Sequence, residues 1–75
     1  MHEQEVNDLR ERWPLLGHVL REIAAGRVVG ESDGLWETYL VARQRGLVGR
    51  DSAGRIGVTE RASEYFAVRG KVITW

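Results

Sequence analysis

The sequence contains no cysteine, which excludes disulfide bonds, thiolate metal sites and cysteine nucleophiles. It has a single proline, Pro14, and no apolar run near the roughly 18 residues that a membrane span requires. The N-terminal residues MHEQEV are polar and lack the apolar segment of a signal peptide. With 43% hydrophobic and 29% charged residues, the composition is typical of a soluble globular domain. We therefore expect a cytoplasmic protein that does not enter the membrane.

Seventy-five residues predict one domain with a small hydrophobic core. Three tryptophans are many for a chain of this size, and one of them, Trp75, is the last residue. Tryptophan is enriched at the centres of protein interfaces. We therefore treat Trp13, Trp36 and Trp75 as candidate partner-binding residues, and the apolar chain ends as candidates for a homodimer contact.

The formal net charge is zero, but the charge is unevenly distributed. Residues 1–37 carry eight acids and four bases, a balance of −4, and residues 38–75 carry seven bases and three acids, a balance of +4. This asymmetry predicts one basic face. The sequence pI of about 6.7 is nevertheless well below the value above 9 that is typical of a strong nucleic-acid-binding domain.

The first half of the chain predicts two helices. Residues 1–13 form an N-terminal docking helix over Glu3–Arg12, which ends where Pro14 disfavours helical geometry at Trp13. Pro14–Ala25 has the broadest apolar face and ends at Gly26. That face consists of Leu15, Leu16, Val19, Leu20, Ile23 and Ala24. Val28 and Val29 have the composition of a short third strand, and the polar loop GESDG follows them.

The second half predicts a helix, a hairpin and another helix. A helix over Leu35–Arg45 buries Leu35, Trp36, Tyr39, Leu40 and Ala42 and ends at Gly46. A short antiparallel hairpin runs from Leu47 to Val58, with its turn at DSAG. A last helix, capped by Thr59, spans Glu60–Val68 and buries Ala62, Tyr65 and Phe66. Residues 71–75 form an apolar tail. The fold class is therefore α+β and mostly helical, with three to four helices and one hairpin.

The run from Leu40 to Phe66 resembles the second half of a winged-helix domain of the MarR and PadR type. The resemblance rests on Gly46-Leu47-Val48 at a helix end, a charged hairpin, and Val58-Thr59-Glu60-Arg61 opening the next helix. It implies that Leu35–Arg45 is the recognition helix and that Arg50–Arg55 is the wing, which in DNA-binding members contact the major groove and the backbone. Two sets of side chains are candidates for nucleic-acid binding. The exposed face of the recognition helix could read base edges, because glutamine pairs with adenine and arginine with guanine; it carries Thr38, Val41, Gln44 and Arg45. Guanidinium groups suit phosphate contact, which adds Arg43, Arg50 and Arg55 to Arg45.

The chain departs from that pattern before the recognition helix. A helix-turn-helix needs a supporting helix and a turn of three or four residues. The segment between Gly26 and Leu35 is short and rich in glycine. Two alternatives remain: the second helix is reduced to a turn, or Pro14–Ala25 takes its place and Glu3–Arg12 is the first helix.

Motifs for catalysis and for cofactor or metal binding are missing from the sequence. It has no nucleophile with an adjacent base and no glycine-rich phosphate loop. His2 and His18 have no partners at metal-ligand spacing. We expect no enzymatic activity, no cofactor and no metal. Two hypotheses remain: a winged-helix transcriptional regulator that binds double-stranded DNA through its arginines, or a protein-interaction module that uses the same frame without binding DNA.

Overall fold

The computed structural model describes residues 1–68, so Trp75 and the predicted tail at residues 71–75 lie outside the described residues. Four helices and one antiparallel hairpin make up this part of the chain, which confirms a small, mostly helical α+β domain. The elements in chain order are α1 (Glu3–Arg12), α2 (Leu16–Ala24), α3 (Trp36–Gln44), β1 (Val48–Arg50), β2 (Ile56–Val58) and α4 (Glu60–Ala67).

Helix α1 ends at Arg12, as the sequence predicted from Pro14. Val6 and Leu9 of this helix are buried in the common core. Arg10 joins α1 to the end of α4, because its guanidinium donates to the carbonyl oxygens of Tyr65 at 3.1 Å and Val68 at 2.6 Å. The same group lies 5.1 Å from the centroid of the Tyr65 ring. The two ends of the described chain are therefore held against each other.

Helix α2 is the centre of the core. It packs against α1, α3 and β2, and Leu16, Val19, Leu20 and Ile23 are buried. The helix begins at Leu16, two residues after the predicted start, because Pro14 lies in a turn closed by the bond from the Leu16 amide to the Trp13 carbonyl. Leu15, predicted in the apolar face, is 51% exposed for the same reason. Ala24, also predicted there, is exposed at the other end of the helix.

Helix α3 has a different orientation from the predicted one. Thr38, Tyr39 and Ala42 are buried, whereas Leu40 faces outward and is 37% exposed. The sequence placed Leu40 inside and Thr38 outside. Helix α3 carries apolar side chains on more than one face, so its own sequence does not specify which face is buried. Packing against α2 determines that face.

The hairpin pairs Val48 with Val58, Gly49 with Gly57 and Arg50 with Ile56. Within residues 1–68 the sheet has only these two strands, so the predicted third strand at Val28-Val29 is wrong. Val29 is buried as part of a loop, and Val28 is 84% exposed. The loop buries the hydrophobic side chain of Val29 in the core without any strand pairing.

Thr59 is the N-cap residue of helix α4, as predicted, but it does not cap the helix through its side chain. The Thr59 side chain makes no capping bond; its hydroxyl donates instead to the Gly46 carbonyl at 2.5 Å. This bond joins the end of α3 to the start of α4 across the hairpin. Ala62 and Tyr65 are buried as predicted, whereas Phe66 is 42% exposed beneath the Arg21 guanidinium, 5.4 Å from its ring centroid.

Gly46 lies between the end of α3 and the first strand of the hairpin, and its replacement by alanine should be destabilising. Its φ of +73° is a left-handed conformation, and an added Cβ would lie 3.3 Å from Cδ of Arg61. We expect Gly46→Ala to lower the free energy of unfolding by about 1–2 kcal/mol, measured by urea denaturation. Gly30→Ala is the matched control, because Gly30 has no positive φ and open space around it. Equal stability of the two variants would contradict this assignment.

Candidate functional site

A groove of about 590 Å³ runs between the end of α2, one side of α3 and the hairpin. Its inner surface is mostly apolar and aromatic, and its rim carries guanidinium groups from three separate parts of the chain. The described residues that line it are Ile23, Gly26, Arg27, Val28, Val29, Trp36, Tyr39, Arg43, Arg50, Gly54, Arg55 and Ile56.

Four arginines meet at this groove, and they differ in their partners. Arg27 forms an ion pair with Glu22, which offsets its charge. Arg43, Arg50 and Arg55 form no ion pair with any acidic group within residues 1–68. Arg43 lies 5.9 Å from the centroid of the Tyr39 ring, which holds its guanidinium beside the aromatic floor. Three positive charges therefore face one concave surface, and none of them is ion-paired with a carboxylate within residues 1–68.

The hairpin tip presents its arginines from a turn that Asp51 closes with hydrogen bonds. The Asp51 carboxylate accepts hydrogen bonds from the backbone amides of Ala53 and Arg55, each at 2.9 Å. The Asp51 amide donates to the Arg55 carbonyl at 2.9 Å, and Gly54 has a φ of +79°. The carboxylate is thus occupied within the turn and does not line the groove. Its role is to fix the backbone from which Arg50 and Arg55 project.

The predicted base-reading face of α3 is wrong in part. Thr38 is only 8% exposed and Val41 is partly buried against the core, so neither side chain forms an outward surface. Gln44 is exposed at the end of the helix. The outward face instead carries Glu37, Leu40 and Gln44, with Arg43 beside them on the groove side. The rotation of α3 described above is the reason.

Arg45 does not belong to the groove. It lines a separate cleft of about 370 Å³ between α1 and the end of α3. That cleft also contains Glu5 and Asp8, which oppose a negatively charged ligand. The seven predicted nucleic-acid-binding residues are therefore divided, and the three that share the groove are Arg43, Arg50 and Arg55.

The tryptophans are also separated in space. Trp13 is partly buried against the core and lines the cleft near α1. Trp36 is partly buried and lines the groove, with its ring centroid 5.3 Å from that of Tyr39. Of the two that are described, only Trp36 lines the groove with Arg43, Arg50 and Arg55.

Arg27 and Tyr39 are groove residues that the sequence reasoning missed. Tyr39 is 4% exposed and was assigned to the core alone. Arg27 follows the helix stop at Gly26, whose φ is +86°. A positive-φ glycine signals a change of chain direction, but the direction itself depends on packing. Gly26 therefore predicts where the helix ends, but it does not predict where the Arg27 side chain lies.

Outside the groove, the carboxyl group of Glu64 has a lowered pKa. The terminal amine of Met1 lies 2.8 Å from the Glu64 carboxylate and lowers the pKa of Glu64 through a hydrogen bond and charge attraction. Residues 1–68 contain no group of three side chains able to hold a metal ion. In that same stretch, no helix has the length and apolar character needed to cross a membrane.

Comparisons with protein families, with curated proteins and with solved structures gave no match.

Proposed function

We propose that this chain is a small winged-helix protein that binds double-stranded DNA and acts in transcriptional regulation in the cytoplasm. The observation that carries the proposal is the set of three arginines, Arg43, Arg50 and Arg55, on one groove without acidic partners in residues 1–68. Guanidinium groups bind phosphates through paired hydrogen bonds. A phosphate backbone supplies several anionic groups in a row, which suits such a set.

The order of the elements supports the winged-helix frame. A hairpin follows α3 directly and leads into α4, as the recognition helix is followed by the wing in that family. Of the two alternatives for the supporting helix, the packing favours α2 in that position, because α2 contacts α3 and α1 contacts α2. The connection from α2 to α3 is longer than the usual turn and brings Arg27 and Val28 to the groove.

A salt titration tests the proposal. We expect the intact protein to bind a random duplex at low salt, with a dissociation constant in the range of roughly 10⁻⁴–10⁻⁶ M that is usual for non-specific binding. The logarithm of the affinity should fall with the logarithm of the salt concentration by about 0.9 for each phosphate neutralised, so three arginines give a slope near −2.7. Fluorescence anisotropy of a labelled duplex measures both quantities.

Single substitutions locate the contact. Arg43→Ala should weaken binding to every duplex and reduce the salt slope by about 1. Arg12→Ala removes the same charge from the cleft near α1 and should leave the slope unchanged. No binding at the concentrations above, or equal slopes for the two variants, would exclude duplex binding by this groove.

A second candidate function is supported by the apolar part of the rim. Val28 is 84% exposed and Ile56 is 40% exposed, and both side chains line the groove. An acidic protein segment with apolar side chains would contact both these residues and the arginines. The chain would then be an interaction module, a subunit or an inhibitor of a larger complex. Duplex binding together with a pull-down that captures no protein would favour DNA as the ligand. Capture of a protein without duplex binding would favour a protein partner.

Homodimer formation is part of the regulator proposal. A second chain would present a second groove to the same duplex, as two-fold DNA-binding dimers do. Sedimentation equilibrium on the full chain measures the mass directly. A monomer at concentrations that saturate duplex DNA would remove the dimer from the proposal and leave the groove contact in place.

A further inference from the structure

We infer that the groove takes one unpaired nucleotide, whose base packs against Trp36 while Arg43, Arg50 and Arg55 hold the phosphates on either side of it. This inference rests on the proposed function, because it assumes that the groove binds nucleic acid. It adds the form of the ligand: DNA with a single-stranded tail or gap binds more tightly than a fully paired duplex.

The interior of the groove is the first reason. Ile23, Val29 and Tyr39 are buried beneath it, and Trp36 is partly exposed within it. A duplex presents sugars and phosphates to a protein surface, which need no apolar floor. An unpaired base has an apolar face that stacks on aromatic side chains irrespective of sequence. The combination of an aromatic floor and an arginine rim is the arrangement that single-stranded nucleic acid requires.

The dimensions agree with this ligand. A volume of about 590 Å³ lies within the roughly 300–1,000 Å³ range of sites for small ligands. The groove is formed between the end of α2, α3 and the hairpin, so a strand entering it would meet Arg43 from α3 and Arg50 and Arg55 from the hairpin. Base recognition then needs a face of the base, and the groove offers one aromatic ring, Trp36, that is both accessible and held in position by Tyr39.

The outward face of α3 is the second reason. Direct reading of a paired base requires side chains that form bidentate hydrogen bonds with base edges in the major groove. Glu37 would repel phosphates, Leu40 has no hydrogen-bonding group, and only Gln44 could pair with a base edge. The polar and aromatic groups needed for binding are on the neighbouring side of the helix, toward the groove. The chemistry of α3 therefore favours a base that has left the duplex.

Three DNA probes of equal phosphate number test the inference: a blunt duplex, the same duplex shortened with a thymidine tail, and a thymidine oligonucleotide. The tailed probe should bind about tenfold more tightly than the blunt one, the size of effect expected from stacking one base. Trp36→Leu should remove this preference, whereas Trp36→Phe should keep most of it. The thermal midpoint of each variant establishes that it is folded.

The possible outcomes distinguish failure of this inference from failure of the proposed function. Equal affinity for blunt and tailed probes, with the arginine dependence intact, would overturn this inference and leave the proposed function standing. No binding to any probe would overturn both. A tail preference that survives Trp36→Leu would place the base elsewhere and overturn the inference.

Fluorescence gives a measurement that does not depend on the stability of Trp36→Leu. In a protein with Trp13→Phe and Trp75→Phe, Trp36 is the sole tryptophan. A thymidine oligonucleotide should quench its emission on binding, because the base stacks on the indole. Inorganic polyphosphate carries the charges without the bases and should compete for the arginines without quenching. Unchanged emission at saturating oligonucleotide would overturn the inference.

Discussion

Arg50→Ala combined with Arg55→Ala is expected to weaken duplex binding by about a hundredfold at low salt. Both guanidiniums lie on the groove without acidic partners in residues 1–68. A hydrogen bond to a charged group contributes about 1.5–3 kcal/mol, and 1.4 kcal/mol corresponds to a factor of ten. Two such contacts account for the hundredfold loss. Anisotropy titration of the intact protein and the double variant measures it.

The matched control is Arg12→Ala combined with Arg45→Ala. This pair removes the same two charges from the cleft near α1, where Glu5 and Asp8 oppose phosphate. We expect only the small general loss that comes from reducing the total positive charge. Because Arg45 was predicted as a contact from the sequence, the comparison also decides between that prediction and the observed geometry. Equal losses in both double variants would mean that bulk charge, and not the groove, carries binding.

Leu20→Ala is expected to remove a large share of the total stability. Leu20 is fully buried in α2, the helix that packs against α1, α3 and β2. Deleting a buried leucine side chain costs about 2–5 kcal/mol. At roughly 0.05–0.15 kcal/mol per residue, a domain of this length has only about 4–11 kcal/mol in all. Urea denaturation followed by circular dichroism would give the loss directly.

Leu40→Ala makes the same chemical change on the outward face of α3. Leu40 is 37% exposed, and alanine and leucine have similar helix propensities. The expected cost is less than about 1 kcal/mol. A larger loss for Leu40→Ala than for Leu20→Ala would mean that α3 buries Leu40, as the sequence predicted, and would contradict the observed orientation of this helix.

The positions of the helices and the hairpin could be read from local sequence. Pro14 stops α1, Gly26 and Gly46 end their helices with positive φ, and Gly54 closes the hairpin turn. Each of these effects arises from the conformational preferences of one or two residues. For that reason the predicted helices and hairpin match the observed ones to within a few residues, whereas the predicted strand at Val28-Val29 does not form. The winged-helix assignment goes further than these elements and stays a proposal.

The orientation of the helices was harder to predict from the sequence than their positions. Four leucine, valine and isoleucine side chains of α2 point one way, so its buried face was predicted correctly apart from its two ends. Helix α3 has apolar groups on more than one side, which is why Thr38 and Leu40 were interchanged. A hydrophobic pattern specifies a buried face only when one face is clearly more apolar than the rest.

The sequence by itself determined the element order, the turns and the concentration of arginine in the second half of the chain. Tertiary structure alone decided that Arg43, Arg50 and Arg55 share a groove with Trp36, and that Arg45 is turned away toward α1. The physical reason is that turns and helix stops are set by neighbours along the chain. A binding surface, in contrast, depends on how far each helix rotates to bury its apolar side chains against partners distant in sequence.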